Sequence, residues 1–300
     1  MHIPDGFLSP PVWATLDLVS LPAIGWMAKR ARESTDDRKI PLLGVMGAFV
    51  FAAQMINFPV GLGTSGHLVG GALLSIVLGP SAACVVMTAI LCLQAFVFQD
   101  GGIVVLGANL FNMALAGVLA GYLPFRLWGT RARSSAIFAG GFLSVLVSAC
   151  LSLSELLVSG VRMPAEVLGI SLGLFLISAL IEGAITVSAV AAIERLRPGA
   201  VQDPQEKDSR ALSAFAITAV VLAVVGILFA SAAPDGLEKL AQQVGLSEST
   251  PWLHSPFAGY QFSGGSSDWV RKASAGLAGI ALVYGVCLAA GRLLTRRSSV

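Results

Sequence analysis

Residues 167–193 read VLGISLGLFLISALIEGAITVSAVAAI and hold a single ionisable side chain, Glu182. A helix needs about 20 apolar residues to cross a hydrocarbon core of roughly 30 Å, so this stretch is long enough to span a bilayer. Further apolar runs of spanning or near-spanning length lie on either side, at 12–28, 41–58, 67–79, 82–98, 104–123 and 134–158, and at 211–232 and 273–291. Composition agrees with this reading: the chain is 55% hydrophobic and 12% charged, with a mean hydropathy of +0.80. Soluble domains carry about 25% charge. The expected fold class is an all-α polytopic membrane protein of about nine transmembrane helices. The run at 67–79 is too short to cross as one straight helix, so it is expected to be tilted, continued by non-helical backbone, or buried in the bundle.

Basic residues orient these spans. Lys29, Arg30, Arg32, Arg38, Lys39, Arg126, Arg131, Arg133, Arg195, Arg197, Lys207, Arg210, Arg292, Arg296 and Arg297 fall on one side, and only Arg162, Lys239, Arg271 and Lys272 on the other. The positive-inside rule then puts Met1 outside and the C-terminus in the cytoplasm. The first residues lack a basic region ahead of an apolar run, so the N-terminus is expected to survive uncleaved. Cys84, Cys92, Cys150 and Cys287 lie in apolar runs without CxxC spacing and read as small hydrophobes.

The chain opens Met-His-Ile-Pro-Asp-Gly-Phe. A histidine behind a free α-amine offers three nitrogens, the amine of Met1, the amide of His2 once deprotonated and the imidazole of His2, which can close two fused chelate rings around one divalent metal. A planar fourth position remains, a geometry suited to Ni²⁺, Cu²⁺ or Co²⁺. Pro4 and Gly6 favour a turned, extended leader over a helix. On the same outer side lies 59–67, Pro-Val-Gly-Leu-Gly-Thr-Ser-Gly-His, so His67 can meet His2. The loop also contains Gly63-Thr64-Ser65-Gly66, the GxSG pattern of rhomboid-type intramembrane serine proteases, with Ser65 as nucleophile. Such a serine needs a histidine base from another helix, and no later span carries one.

Three stretches, MHIPDGFLSPPVW at the start, GTSGHLVGGALLSIVLGP at 63–80 and LQAFVFQDGGIVVLGANLFNMALAG at 93–117, resemble the CbiM/NikM family, the substrate-binding membrane components of energy-coupling-factor cobalt and nickel transporters. The resemblance implies a seven-helix unit over residues 1–197 and a metal held by Met1, His2 and His67. It also implies partners: a transmembrane coupling subunit and cytoplasmic ATPase subunits. No GxxxxGK[ST] motif occurs and none of the five lysines follows a glycine, so no nucleotide is expected on this chain. Nothing points to nucleic acid. The setting is the bacterial or archaeal cell membrane, with Ni²⁺ or Co²⁺ as transported substrate and a slight inclination to nickel.

Polar residues inside apolar runs are costly and count as candidates. Asp100 and Asn109, near the outer rim, could orient a histidine ring from behind, or serve only as interhelical hydrogen bonders, as Gln94 and Asn112 are expected to. Glu182 sits deep in its span, where pairing is expected. The family pattern leads one to expect a histidine shortly before it, and Leu-Ile-Ser-Ala-Leu-Ile stands there instead, which puts a ligand from that span in doubt. Gly44, Ala48 and Ala52 recur every four residues and form one smooth face, suited to internal packing or, as in similar components, to docking on the coupling subunit. After a polar linker at 198–210 come two further spans, within 211–300, joined by an outer segment that begins Ala-Ala-Pro-Asp-Gly-Leu-Glu. This resembles the PDGLE (NikN-like) domain, with Pro256 and Tyr260 in support and Gly259 departing from the acidic residue expected. His254 reads as a loop histidine or a transient ligand.

Overall fold

The computed structural model describes residues 1–196, 209–231, 233–247, 255–264 and 267–295. The linker expected at 198–210 lies outside the described residues except for its last two positions, which open a helix, and His254 also lies outside them.

Each apolar run contains a helix: α1 (Pro10–Ser34), α2 (Ile40–Gln54), α3 (Gly71–Leu78), α4 (Pro80–Phe98), α5 (Leu106–Trp128), α6 (Arg133–Val158), α7 (Ala165–Leu196), α8 (Ser209–Val224) and α10 (Asp268–Thr295). A short α9 (Gly236–Val244) stands between the last two. Helices α4, α5, α6, α7 and α10 are each long and apolar enough to cross a membrane, and α2 and α8 are shorter apolar helices. The chain is an all-α polytopic membrane protein, with one small exception to the helical rule at the site described below.

Local sequence explains the boundaries. Pro10 and Pro11 open α1 where a missing N–H costs nothing. Gly79, at φ 83°, ends α3, and Pro80 begins α4. Helix α2 stops at Gln54, earlier than the run to residue 58 suggests, and Pro59 then keeps Phe58 out of the helical region. The chain there enters a hairpin, β1 (Phe58–Gly61) with β2 (Thr64–Gly66). Its turn needs positive φ at Gly61 (116°), Leu62 (50°) and Gly63 (69°), which the two glycines supply without strain. Helix α3 is buried from Gly71 to Val77 among α4, α5 and α6, and the backbone leading to it is non-helical, as its shortness implies. The last turn of α4 (Gln94–Phe98) and the middle of α5 (Leu110–Gly117) are π-helical. That widening accompanies the polar residues Gln94 and Asn112.

The small-residue face of α2 is not a free docking surface. Helices α8 and α10 pack on α2, and a Cβ on Gly44 would come within 2.8 Å of the Tyr284 ring of α10. Ala48 and Ala52 are buried as well. Of the residues expected to meet a coupling subunit, Gly44 thus lies against the chain's own C-terminal helix, and Ala48 and Ala52 are buried within the chain, which favours the internal-packing reading of this face. Small residues let two helix backbones approach closely in lipid, and here that approach is intramolecular. Ala48→Leu is expected to overpack this contact and to destabilise the isolated chain by about 1–3 kcal/mol. The measurement is thermal unfolding in detergent, and an unchanged midpoint would return the face to an external partner.

Candidate metal site

The N-terminal leader is threaded into the bundle instead of fraying. Met1, His2 and Ile3 are buried. Asn109 clamps Ile3 from both sides: its Oδ1 accepts the Ile3 N–H at 2.8 Å and its Nδ2 donates to the Ile3 carbonyl at 3.0 Å. The Gly102 N–H donates to the same carbonyl at 2.9 Å. The Asp5 carboxylate accepts the amides of Ile103, Val104 and Val105, the orphan donors ahead of α5. Asn109 thus holds the backbone beside His2 and does not orient a ring.

His67 follows β2. Its Nδ1 lies 2.9 Å from the Leu68 carbonyl oxygen, which fixes the proton there and leaves Nε2 with its lone pair. That lone pair faces the α-amine of Met1 at 2.9 Å. Burial, with the charges of the Met1 ammonium and His2, pushes the His67 pKa below its usual value, which favours the neutral ring. Glu182 reaches this segment from α7: its carboxylate accepts the amides of Val69 and Gly70, each at 2.8 Å. It satisfies non-helical backbone that would otherwise be stranded in an apolar bundle, and so fixes the approach to His67.

His2 lies opposite, its ring parallel to that of His67 within 5° and 5.5 Å away between centroids. Its Nδ1 is 3.0 Å from Asp100 Oδ1, and its Nε2 is buried without a hydrogen-bond partner. Asp100 is thus the carboxylate behind a histidine ring. Burial alone would raise its pKa, but the charge and hydrogen bond of His2 and the Tyr260 hydroxyl hold it below the usual carboxylate range.

The remaining contact comes from the other end of the chain. Asp235 Oδ2 accepts from the Met1 ammonium at 2.5 Å. Its Oδ1 meanwhile caps α9, accepting the amides of Leu237 and Glu238 at 2.8 Å, while Glu238 returns a bond to the Asp235 N–H in a capping box. Burial would raise the Asp235 pKa, but the ammonium and His67 bring it below its ordinary value. The preceding residues add an edge to the hairpin: Ser65 N–H donates to the Pro234 carbonyl at 2.8 Å and Ser65 Oγ to that of Ala233 at 2.7 Å. The Ser65 hydroxyl thus gives its proton to a backbone carbonyl and not to the histidine base that a GxSG nucleophile needs.

Met1, His2 and His67 are brought together, with Asp100, Asn109 and Glu182 each bonded to the leader or to the loop. Among the described residues no three His, Cys, Asp or Glu side chains form a metal cluster, because this arrangement offers two imidazoles and backbone nitrogens. Sequence reasoning missed Asp5, Asp235, Tyr260 and Gln54 as contributors. For Asp235 a signal existed, since an Asp followed three residues later by Glu ahead of a helix is a capping box.

With this geometry in view, comparison with known proteins is direct. Residues 2–200 match the family model described as the cobalt uptake substrate-specific transmembrane region, and residues 209–296 match the PDGLE domain. A relative from Archaeoglobus fulgidus, named as a fused nickel transport protein NikMN, is 35% identical over 99% of this chain and 98% of its own length. The cobalt transport protein CbiM of Acetoanaerobium sticklandii is 38% identical over 49% of this chain and 62% of its own. A crystal structure of a truncated transition metal transporter superposes with a TM-score of 0.58 at 31% identity, covering 65% of this chain and 99% of that one. Fold and comparisons define an integral membrane component of nickel or cobalt transport. The chain belongs to the CbiM family and carries a PDGLE domain fused at its C-terminal end.

Asn109→Ala removes the clamp on Ile3. Residues 2–5 are expected to exchange amide hydrogens faster in the variant, read by mass spectrometry on purified protein. Unchanged protection would mean that Asp5 alone holds the leader.

Proposed function

We propose that this chain captures Ni²⁺ or Co²⁺, with nickel slightly favoured, at the outer face of the cell membrane as the substrate-specificity component of an ATP-driven importer of the energy-coupling-factor type. The observation that carries the reading is the meeting of the Met1 α-amine with the neutral Nε2 of His67 at 2.9 Å, beside the His2 ring. The donors are the amine of Met1 and the amide nitrogen of His2, each once it has released a proton to water, with the imidazole of His2 and Nε2 of His67. Only Nδ1 of His2 can close a ring with its own amide, so loading moves that nitrogen from Asp100 to the metal. A planar nitrogen set selects Ni²⁺ over hard Mg²⁺ and Ca²⁺, which prefer oxygen, and over Zn²⁺, which prefers a tetrahedron. Asp100 and Asp235 supply negative charge beside the incoming dication, which lowers the cost of taking it from water.

In this reading residues 1–197 form the capturing unit, 198–210 a cytoplasmic linker and 211–300 the PDGLE domain, with Met1 outside and the C-terminus inside. The distribution of basic residues supports that orientation. The chain carries no phosphate-binding loop, and transport energy comes from partners, a membrane coupling subunit and cytoplasmic ATPases. Selection, not catalysis, is its task.

Two measurements test the site. One residue added ahead of Met1 turns the amine into an amide and is expected to abolish Ni²⁺ binding in calorimetry; a folded, extended protein that binds normally would overturn the α-amine as ligand. His2→Ala and His67→Ala are each expected to weaken binding by more than the roughly 10–100-fold typical of losing an outer partner of a ligand. Retention of tight binding by either variant would remove that residue from the donor set.

A further inference from the structure

We propose that Tyr260, from the outer segment of the C-terminal domain, is a positioning residue of the metal site that ties His2 and the His67 loop into one hydrogen-bonded chain. The inference rests on the assignment of Met1, His2 and His67 as ligands. In one direction the Tyr260 hydroxyl donates to Asp100 Oδ2 at 2.5 Å, and Asp100 Oδ1 faces His2 Nδ1 at 3.0 Å. In the other direction the hydroxyl accepts from Gln94 Nε2 at 3.0 Å, which also donates to Gln54 Oε1 at 2.9 Å. Gln54 Nε2 then donates to the Val69 carbonyl at 2.8 Å, two residues beyond His67. One phenol therefore joins the two halves of the site.

Its placement is built in. The ring stacks on Phe98, with centroids 5.0 Å apart and planes 16° from parallel, and lies 6.2 Å from Phe51. The backbone of Tyr260 has φ 57°, a left-handed conformation that bulky residues rarely adopt and that persists only where the surroundings enforce it. Burial and the neighbouring Asp100 carboxylate push the phenol pKa well above its usual value, so the hydroxyl keeps its proton and remains a donor.

The direction of the effect follows from the handover at His2. When Nδ1 leaves Asp100 for the metal, that carboxylate loses one of its two donors, and Tyr260 is the one that stays. Without the hydroxyl, Asp100, whose side chain is 30% exposed, would lose its last fixed donor on loading and be left to mobile water. It would then hold His2 instead of releasing it. The hydroxyl thus favours the loaded state, and through Gln94 and Gln54 it also steadies the segment that carries His67.

Tyr260→Phe in the full chain keeps the aromatic stack and removes the hydroxyl. Expected are Ni²⁺ binding weakened about 10-fold by calorimetry, within the range for outer partners of a metal ligand, a shifted d–d absorption band of the bound Ni²⁺, and an unchanged thermal midpoint. Asp100→Asn, which leaves the stack intact, is expected to shift the same band and to add little further loss in the Tyr260→Phe background, as members of one network are non-additive. Wild-type affinity and spectrum in Tyr260→Phe, or full additivity with Asp100→Asn, would overturn the inference. His67→Ala separates the two levels: if it too binds normally, the ligand assignment itself fails, whereas lost binding there beside an unaffected Tyr260→Phe removes only the role of the tyrosine.

Discussion

A buried α-amine needs acceptors on every side that water has left, and in this protein two are supplied by residues far apart in sequence. His67 Nε2 and Asp235 Oδ2 converge on Met1, separated from it by 66 and 234 positions. Chain termini are ordinarily the least ordered part of a domain. Ordering this one requires the Asn109 clamp on Ile3 and the Asp5 cap on residues 103–105, so most of the polar groups near this end of the bundle serve the first five residues. The fold is arranged to hold its own beginning.

The Pro-Asp-Gly-Leu-Glu segment can be read letter by letter in the same terms. Pro234 gives its carbonyl to the hairpin edge, and Asp235 divides its two oxygens between helix cap and ammonium. Gly236 lies so close to Phe175 of α7 that a Cβ would come within 2.9 Å of its ring. Leu237 is fully buried, and Glu238 completes the capping box. For Asp235, Gly236, Leu237 and Glu238 the side chain, or its absence, answers a contact. The motif therefore works as a small fitted plug, in which a nine-residue helix is started by the same carboxylate that meets the leader.

Much of the architecture was legible because membrane spans announce themselves by length and apolarity. The meeting of Met1, His2 and His67 was also legible, since the charge of the intervening loops puts these residues on one and the same side of the spans. What sequence could not reveal was pairing at a distance. The hairpin at 58–66 is too short to show an alternating pattern, and its third edge comes from Pro234. The small residues of α2 were equally suited to an internal or an external neighbour, because a smooth helix face carries no label for its partner. Asn109 showed its importance by polarity in an apolar run, but whether it would touch a ring or a backbone depended on the path of the leader, which Pro4 and Gly6 bend.

The contact that hides the α2 face and the contact that Tyr260 makes beside His2 belong to one docking event. Small residues occur on both helices: Gly44 and Gly47 of α2 lie against Tyr284, Val283 and Cys287 of α10, and Gly279 of α10 lies against Phe51 and Phe98. Those same two phenylalanines flank the ring of Tyr260. Seating α10 on α2 thus builds the aromatic cradle in which Tyr260 sits, and Tyr260 in turn bonds Asp100 and Gln94. A helix–helix interface within the apolar bundle and a hydrogen bond beside His2 are mechanically continuous. This continuity gives a physical reason for carrying the PDGLE domain on the same chain: the domain contributes both the packing and the polar groups that shape the site.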